Sequence, residues 1–166
     1  MASLPQSFFN RKAQKVAEDL LGCYLVRKTG KKEEKYMIVE TEAYDGFDDR
    51  ASHAWRGKTK RNEIMFGHPG FWYVYFVYGV HWMLNVVTGE KDYPSAVLIR
   101  GVAEAKGPGK LTKLLKIDRD FNTKKLGGDL WIEKRDMEIK KKDIQRTPRI
   151  GVAYAGPIWS QKKYRF

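Results

Sequence analysis

Phe-Trp-Tyr-Val-Tyr-Phe-Val-Tyr-Gly-Val-His-Trp-Met-Leu-Asn-Val-Val, residues 71–87, sets aromatic and β-branched residues on both sides of a single glycine, Gly79. Residues of those types fit a pleated, half-buried surface. A glycine between two such runs lets the chain reverse tightly. The stretch therefore predicts an antiparallel hairpin, Phe71 to Tyr78 and Val80 to Val87. Although it is the longest apolar run, it contains Tyr, Gly, His and Asn and is too short and too polar to span a bilayer.

Outward from this hairpin, Cys23–Lys28 and Lys35–Tyr44 read as two strands joined by Thr29-Gly30-Lys31-Lys32, and Ala96–Val102 reads as another. Leu130–Glu133, after Gly127-Gly128, and Ile150–Tyr154 are two further short strands. Asn10 is expected to cap a helix whose Ala13, Val16, Ala17, Leu20 and Leu21 share one face, with Gly22 as its stop. Gly107-Pro108-Gly109-Lys110 leads into helical spacing at Leu111, Leu114 and Leu115. Such a helix start favours phosphate, and a Gly-Pro-Gly turn is as readily structural. Between Asp45 and Gly70 periodicity gives way to Gly, His, Arg, Lys and Asn, so this long loop is expected to be functional. The Lys140-Lys141-Lys142 run reads as a solvated turn. The fold class that follows is α+β: a single domain over residues 1–166, with a curved, mainly antiparallel sheet, a protruding β-hairpin and a few packed helices.

A chain of 166 residues has room for one such core. Its 32 Lys and Arg against 20 Asp and Glu give a net charge of +12, which calls for a polyanionic partner. None of the basic stretches has the pattern of a membrane-surface helix, so nucleic acid is the expected partner, read in part by the 13% aromatic residues. Cys23 is the only cysteine, which excludes an intramolecular disulfide, a thiolate zinc cluster and an iron–sulfur site. His68 and His81 lack partners at metal-ligand spacing. No metal, no cofactor and no membrane partner are expected, and Cys23 is read as a small buried residue. The opening MASLPQSFFNRKAQ has no apolar run behind a basic one, so no secretory signal is expected. The expectation is an intracellular monomer, in the cytoplasm or nucleoid of a bacterium or the nucleus of a eukaryote.

Three blocks carry the chemistry: Val39-Glu40-Thr41-Glu42-Ala43-Tyr44 with His53, Tyr73 to Gly79 running on to Asn85, and Leu98-Ile99-Arg100. Strand alternation puts Glu40, Glu42 and Tyr44 on one face and Thr41 and Ala43 on the other. Carboxylates beside π-surfaces suit cleavage of a purine glycosidic bond, in which water is deprotonated next to an oxocarbenium-like sugar while the base is held by stacking. Taken singly, the same residues have plainer readings: a solvated strand face for the glutamates, a surface turn for His53, cross-strand packing for Tyr73, Tyr75 and Tyr78.

Jointly, the blocks resemble the alkyladenine (3-methyladenine) DNA glycosylase family, also called methylpurine glycosylases. The likeness includes Arg61-Asn62 and Met65-Phe66 in the long loop, Gly107-Pro108-Gly109-Lys110-Leu111, and Pro148-Arg149-Ile150-Gly151-Val152 near the end, and it covers nearly the whole chain in the family's order. It implies a partner, double-stranded DNA containing damaged purines, and a role for each site residue. Glu42 would activate the attacking water. Tyr44, His53 and Tyr75 would be walls between which a flipped base stacks, and Tyr78 would be the wedge that fills the gap in the helix. Asn85 would be a steric gate against guanine, and Arg100 would order the water and the flipped nucleotide's phosphate. Ala54-Trp55-Arg56 departs from the family's forms.

Three other readings compete. A DNA-binding module could use the hairpin as a wedge without chemistry, but a carboxylate such as Glu42 would only repel its phosphates. A single-strand or RNA-binding protein could use the tyrosines as stacking platforms. A glycosylase with lyase activity would need a lysine in the constellation, and none is present there.

Overall fold

The structure is a computed structural model and describes residues 2–166. In chain order its elements are α1 (Gln6–Phe9), α2 (Ala13–Leu20), β1 (Tyr24–Thr29), β2 (Lys32–Asp45), β3 (Trp72–Val77), β4 (His81–Val87), β5 (Ser95–Val102), β6 (Ala105–Lys106), α3 (Pro108–Leu114), β7 (Leu130–Glu133) and α4 (Gly156–Trp159). The strands form one sheet in the order β3-β4-β5-β2-β1-β7, with β6 added to β5. Every pairing is antiparallel. The α+β class with a curved antiparallel sheet is borne out.

The curl has a local cause in β2. Its first half, Lys32 to Met37, pairs with β1, and its second half, Ile38 to Asp45, pairs with β5. At the start of the second half the register shifts between Ile38 and Glu40 and again between Glu40 and Thr41. Such bulges bend a strand and increase its twist, and they re-aim the side chains beside them. Where β1 no longer covers β2, the chain terminus does: Thr41 and Phe166 exchange two backbone hydrogen bonds at 2.9 Å, and the Ala43 N–H donates to the Tyr164 carbonyl at 2.8 Å.

Alternation along the strands gives the sheet two different faces. Ala43 of β2, Trp72 and Val74 of β3, Leu84 and Val86 of β4, and Val97 and Ile99 of β5 belong to one apolar core with Ala13, Val16, Ala17 and Leu20 of α2 and Leu111 of α3. The helix α2 packs on β2 and β5, where the Thr41 hydroxyl donates to the Ala17 carbonyl at 2.9 Å. The intervening residues, among them Tyr44, Tyr73, Tyr75, Met83, Asn85 and Arg100, line a cavity on the other face.

The β1–β2 turn is Gly30-Lys31, so β2 begins three residues earlier than the pattern predicts. The aromatic hairpin turns through Tyr78 (φ +53°) and Gly79 (φ +61°), and the Val80 N–H donates to the Val77 carbonyl at 3.0 Å. Positive φ at both central residues matches the twist of a hairpin. The loop after β2 holds a single helical turn, Glu63–Phe66.

Two expectations are corrected. Asn10 does not cap α2; it ends α1, and α2 begins at Ala13 after Lys12, whose side chain makes no capping bond. Burial of Phe9 draws the preceding residues into a helical turn of their own. Ile150–Tyr154 is not a strand but a turn followed by a helical turn at Ala153–Ala155. Gly151 (φ +73°) and Gly156 (φ +86°) break the extended path, and the exposed flank of β2 is already taken by residues 164–166. No helix among the described residues is long and apolar enough to cross a membrane.

Candidate active site

The cavity encloses about 840 Å³ and is bounded by β2 to β5, by the loop after β2 and by the segment that follows Pro148. Glu42 does not itself line this cavity; it is fully buried and bonded to two residues that do, Arg100 and Ile150. The bulge in β2 and the alternation that follows aim this side chain inward, and its exposure is 0%. A carboxylate at such a position must be paired and hydrogen-bonded. Its Oε1 accepts from Nη1 of Arg100 at 3.0 Å, and its Oε2 accepts from the Ile150 backbone N–H at 2.8 Å. Arg100 is itself shared, since its Nε donates to Oε1 of Glu40 at 2.9 Å, and Nη1 of Arg165 donates to the same oxygen at 3.0 Å. Burial pushes the Glu42 carboxyl above the usual carboxylate range, against the Arg100 charge and the Ile150 N–H. Its orientation is fixed from two sides while each oxygen keeps a second lone pair, which suits a general base.

Aromatic rings form the walls. From β3, Tyr75 meets His53 with centroids 4.6 Å apart and planes at 62°, and Tyr73 lies 5.0 Å from Tyr75. His53 Nδ1 and the Tyr73 hydroxyl are 3.1 Å apart. Burial lowers the His53 pKa, and the nearby Arg61 charge lowers it further, so the ring is neutral at pH 7. Burial pushes the Tyr73 phenol up to about 12 and raises those of Tyr44 and Tyr75 as well. At neutral pH all three are uncharged. His53 and Tyr75 thus stand together as one wall, and Tyr44 enters from β2 as a separate one.

Asn85, on β4 opposite Tyr73, is 3% exposed and lines the cavity. Its Nδ2 donates to the Tyr73 carbonyl at 3.2 Å and to the Met83 carbonyl at 3.4 Å. The local backbone bonds of a plain structural asparagine and a place at the cavity wall occur in the same residue. Tyr78, at the hairpin tip, is 88% exposed and reaches the cavity rim. Trp55, Arg50 and Arg56 form another part of the rim, with both guanidinium groups against the indole at 5.1 and 5.8 Å. Pro108 borders the cavity at the start of α3, and the ring of His81 lies where a Cβ on Gly109 would be, so that position requires glycine.

The structure therefore brings Tyr44, His53, Tyr75, Tyr78, Asn85 and Arg100 around one cavity, with Glu42 buried behind Arg100 and Ile150 of its lining. Sequence reasoning missed what holds them. Arg149 has a fully buried side chain that makes a bidentate pair with Asp49 at 2.6 and 2.9 Å. It also donates to the carbonyls of Ala43 and Trp159, and it stacks on the ring of Tyr44 with Cζ 4.9 Å from the centroid. The next residue, Ile150, supplies the N–H to Glu42. Asp49 additionally accepts from the backbone N–H of Asp45 and of Ala51. Arg149 could have been found in the Pro148–Val152 block; nothing in the local sequence marks Asp49.

The sequence matches the family model described as methylpurine-DNA glycosylase over residues 7–105 and 103–166. It is 44% identical to a protein of Anaeromyxobacter dehalogenans strain 2CP-C assigned as a 3-methyladenine DNA glycosylase, over 98% of this chain and 82% of that one. A protein of Legionella pneumophila strain Corby with the same assignment is 41% identical over 100% of this chain and 94% of its own, and one of Carboxydothermus hydrogenoformans is 44% identical over 90% and 88%.

Proposed function

Since the chain belongs to the methylpurine-DNA glycosylase family, we propose that it draws a damaged purine nucleotide out of duplex DNA into this cavity and hydrolyses the bond between base and sugar with a water activated by Glu42. It is a DNA N-glycosylase of the 3-methyladenine type, acting in the excision repair of alkylated bases. The observation that carries the proposal is the buried Glu42, held by Arg100 and the Ile150 N–H, both residues of the aromatic cavity's lining. A protein that only bound DNA would gain nothing from that carboxylate.

In this reading the bond from the sugar C1′ to the base nitrogen breaks with both electrons leaving on the base, and positive charge builds on the sugar. The water oxygen bonds to C1′ while its proton passes to Glu42, and an abasic site remains. A base methylated at a ring nitrogen arrives cationic and departs neutral, so it needs no acid. Hypoxanthine departs with negative charge until it gains a proton. Tyr44 on one side and the His53–Tyr75 pair on the other stack on the base. Tyr78 fills the gap left in the helix, which offsets part of the few kcal/mol that flipping costs. Asn85 clashes with the exocyclic amino group of guanine. 7-Methylguanine keeps that group, but its positive charge draws it to the aromatic faces and activates its departure, which offsets the clash. Arg100 holds Glu42 and meets the flipped phosphate.

Duplex oligonucleotides with one 7-methylguanine or hypoxanthine test this reading. The expected product is an abasic site, seen as strand breakage after alkali and not before it. An intact strand with both lesions after alkali would contradict the proposal.

A further inference from the structure

Both aromatic walls have a guanidinium group against them, and the two are not equivalent. Behind Tyr44, Arg149 is neutralised by its bidentate carboxylate Asp49. Against Tyr75 stands Arg61, with Cζ 5.4 Å from the ring centroid. Tyr75 lines the cavity and Arg61 does not, so the guanidinium sits against the ring without entering the space a base would occupy. Its Nη2 donates to the Phe76 carbonyl at 3.1 Å, and among the described residues no carboxylate pairs with it. The charge of Arg100, by contrast, is offset by Glu40 and Glu42. Arg61 is thus the uncompensated cation of the His53–Tyr75 wall.

We propose that Arg61 sets the balance between cationic and neutral lesion bases: its charge disfavours a methylated, positively charged base on the inner face of Tyr75 and helps a neutral base to depart. The inference rests on the glycosylase reading and deepens it. An aromatic face attracts a cation through its quadrupole. A second cation held against the same ring repels the first. With stacking at about 3.5 Å, the guanidinium and the base are no more than about 9 Å apart, close enough for a Coulomb interaction to matter beside a protein surface. Arg61 also acts on its neighbours: after burial, its charge is the next cause lowering the His53 pKa, and it draws down the pKa of Tyr73.

The two lesion classes feel this charge oppositely. A base methylated at a ring nitrogen enters with positive charge and is repelled. Hypoxanthine enters neutral, and as the C1′–N bond breaks it takes the electron pair, so negative charge grows on it until a proton is gained from solvent. A positive potential stabilises that change. Removing the charge should lower the specificity constant for hypoxanthine relative to 7-methylguanine by roughly three- to ten-fold, the lower end reflecting water around the exposed guanidinium.

The experiment is single-turnover base release from one duplex context carrying either lesion, with enzyme concentration varied to give the specificity constants for the native protein, Arg61→Met and Arg61→Lys. The expected result is that the hypoxanthine to 7-methylguanine ratio falls about three- to ten-fold in Arg61→Met and stays within about two-fold in Arg61→Lys. Proportional losses on both lesions in Arg61→Met would overturn the proposal, because a phosphate contact or a packing role acts on both alike. So would a ratio shifted equally by Arg61→Lys, which keeps the charge. Native protein that releases neither base would overturn the glycosylase reading itself, and the inference with it.

Discussion

Asn85 carries two demands at once. Its Nδ2 bonds to the Tyr73 and Met83 carbonyls hold the side chain at the cavity wall, and a side chain so held cannot move aside for an extra group. Guanine differs from hypoxanthine by one exocyclic amino group, which attractive stacking cannot sense, so discrimination needs a clash. Asn85→Ala should open the wall and allow slow guanine excision from lesion-free duplex, most readily at a mispair; single-turnover guanine release is the measurement, and background release with hypoxanthine excision intact would remove Asn85 from this role. The Glu42, Tyr44 and Arg100 positions were legible because strand alternation and block order survive in the sequence. Asp49 was not, because its partner Arg149 lies 100 residues away and no spacing rule links them.

At the scale of elements, the hairpin β3–β4 was readable from its aromatic and β-branched runs, and Leu130–Glu133 from the glycines before it. The segment after Pro148 was misread because its apolar residues suit a strand, whereas the Arg149–Asp49 pair and two glycines at positive φ hold it in turns. That clamp makes a stability prediction. Arg149→Met leaves Asp49 buried and unpaired, which should cost about 3–5 kcal/mol, seen as a lower midpoint in denaturant unfolding; a loss under about 1 kcal/mol would show the pair to be dispensable. The hairpin makes a functional one. Tyr78→Ala removes the exposed ring from the tip, so base release should fall more for a well-paired lesion than for a mismatched one, where flipping is easier. Equal losses on both duplexes at saturating enzyme would sink the wedge role.

Over the whole molecule, the net charge of +12 and the single curled sheet divide the work. One face of the sheet is packed with helices and gives the rigidity that fixes side chains on the other. The curl itself was foreseen only as curvature; its origin in two register shifts of β2 is invisible to a period-2 reading. Affinity for undamaged duplex should fall steeply with salt, each neutralised phosphate adding about 0.9 to the log–log slope, and a flat dependence measured by titration would contradict a DNA-facing basic surface. We propose that hydrolysis depends on the buried carboxylate of Glu42 next to the aromatic cavity. The most direct test is Glu42→Gln, which keeps the volume and removes the base, assayed for lesion binding and for single-turnover base release on the same duplex. Binding is expected within a few-fold of the native protein and base release lowered by at least about 100-fold; release at the native rate would show that Glu42 is not the base.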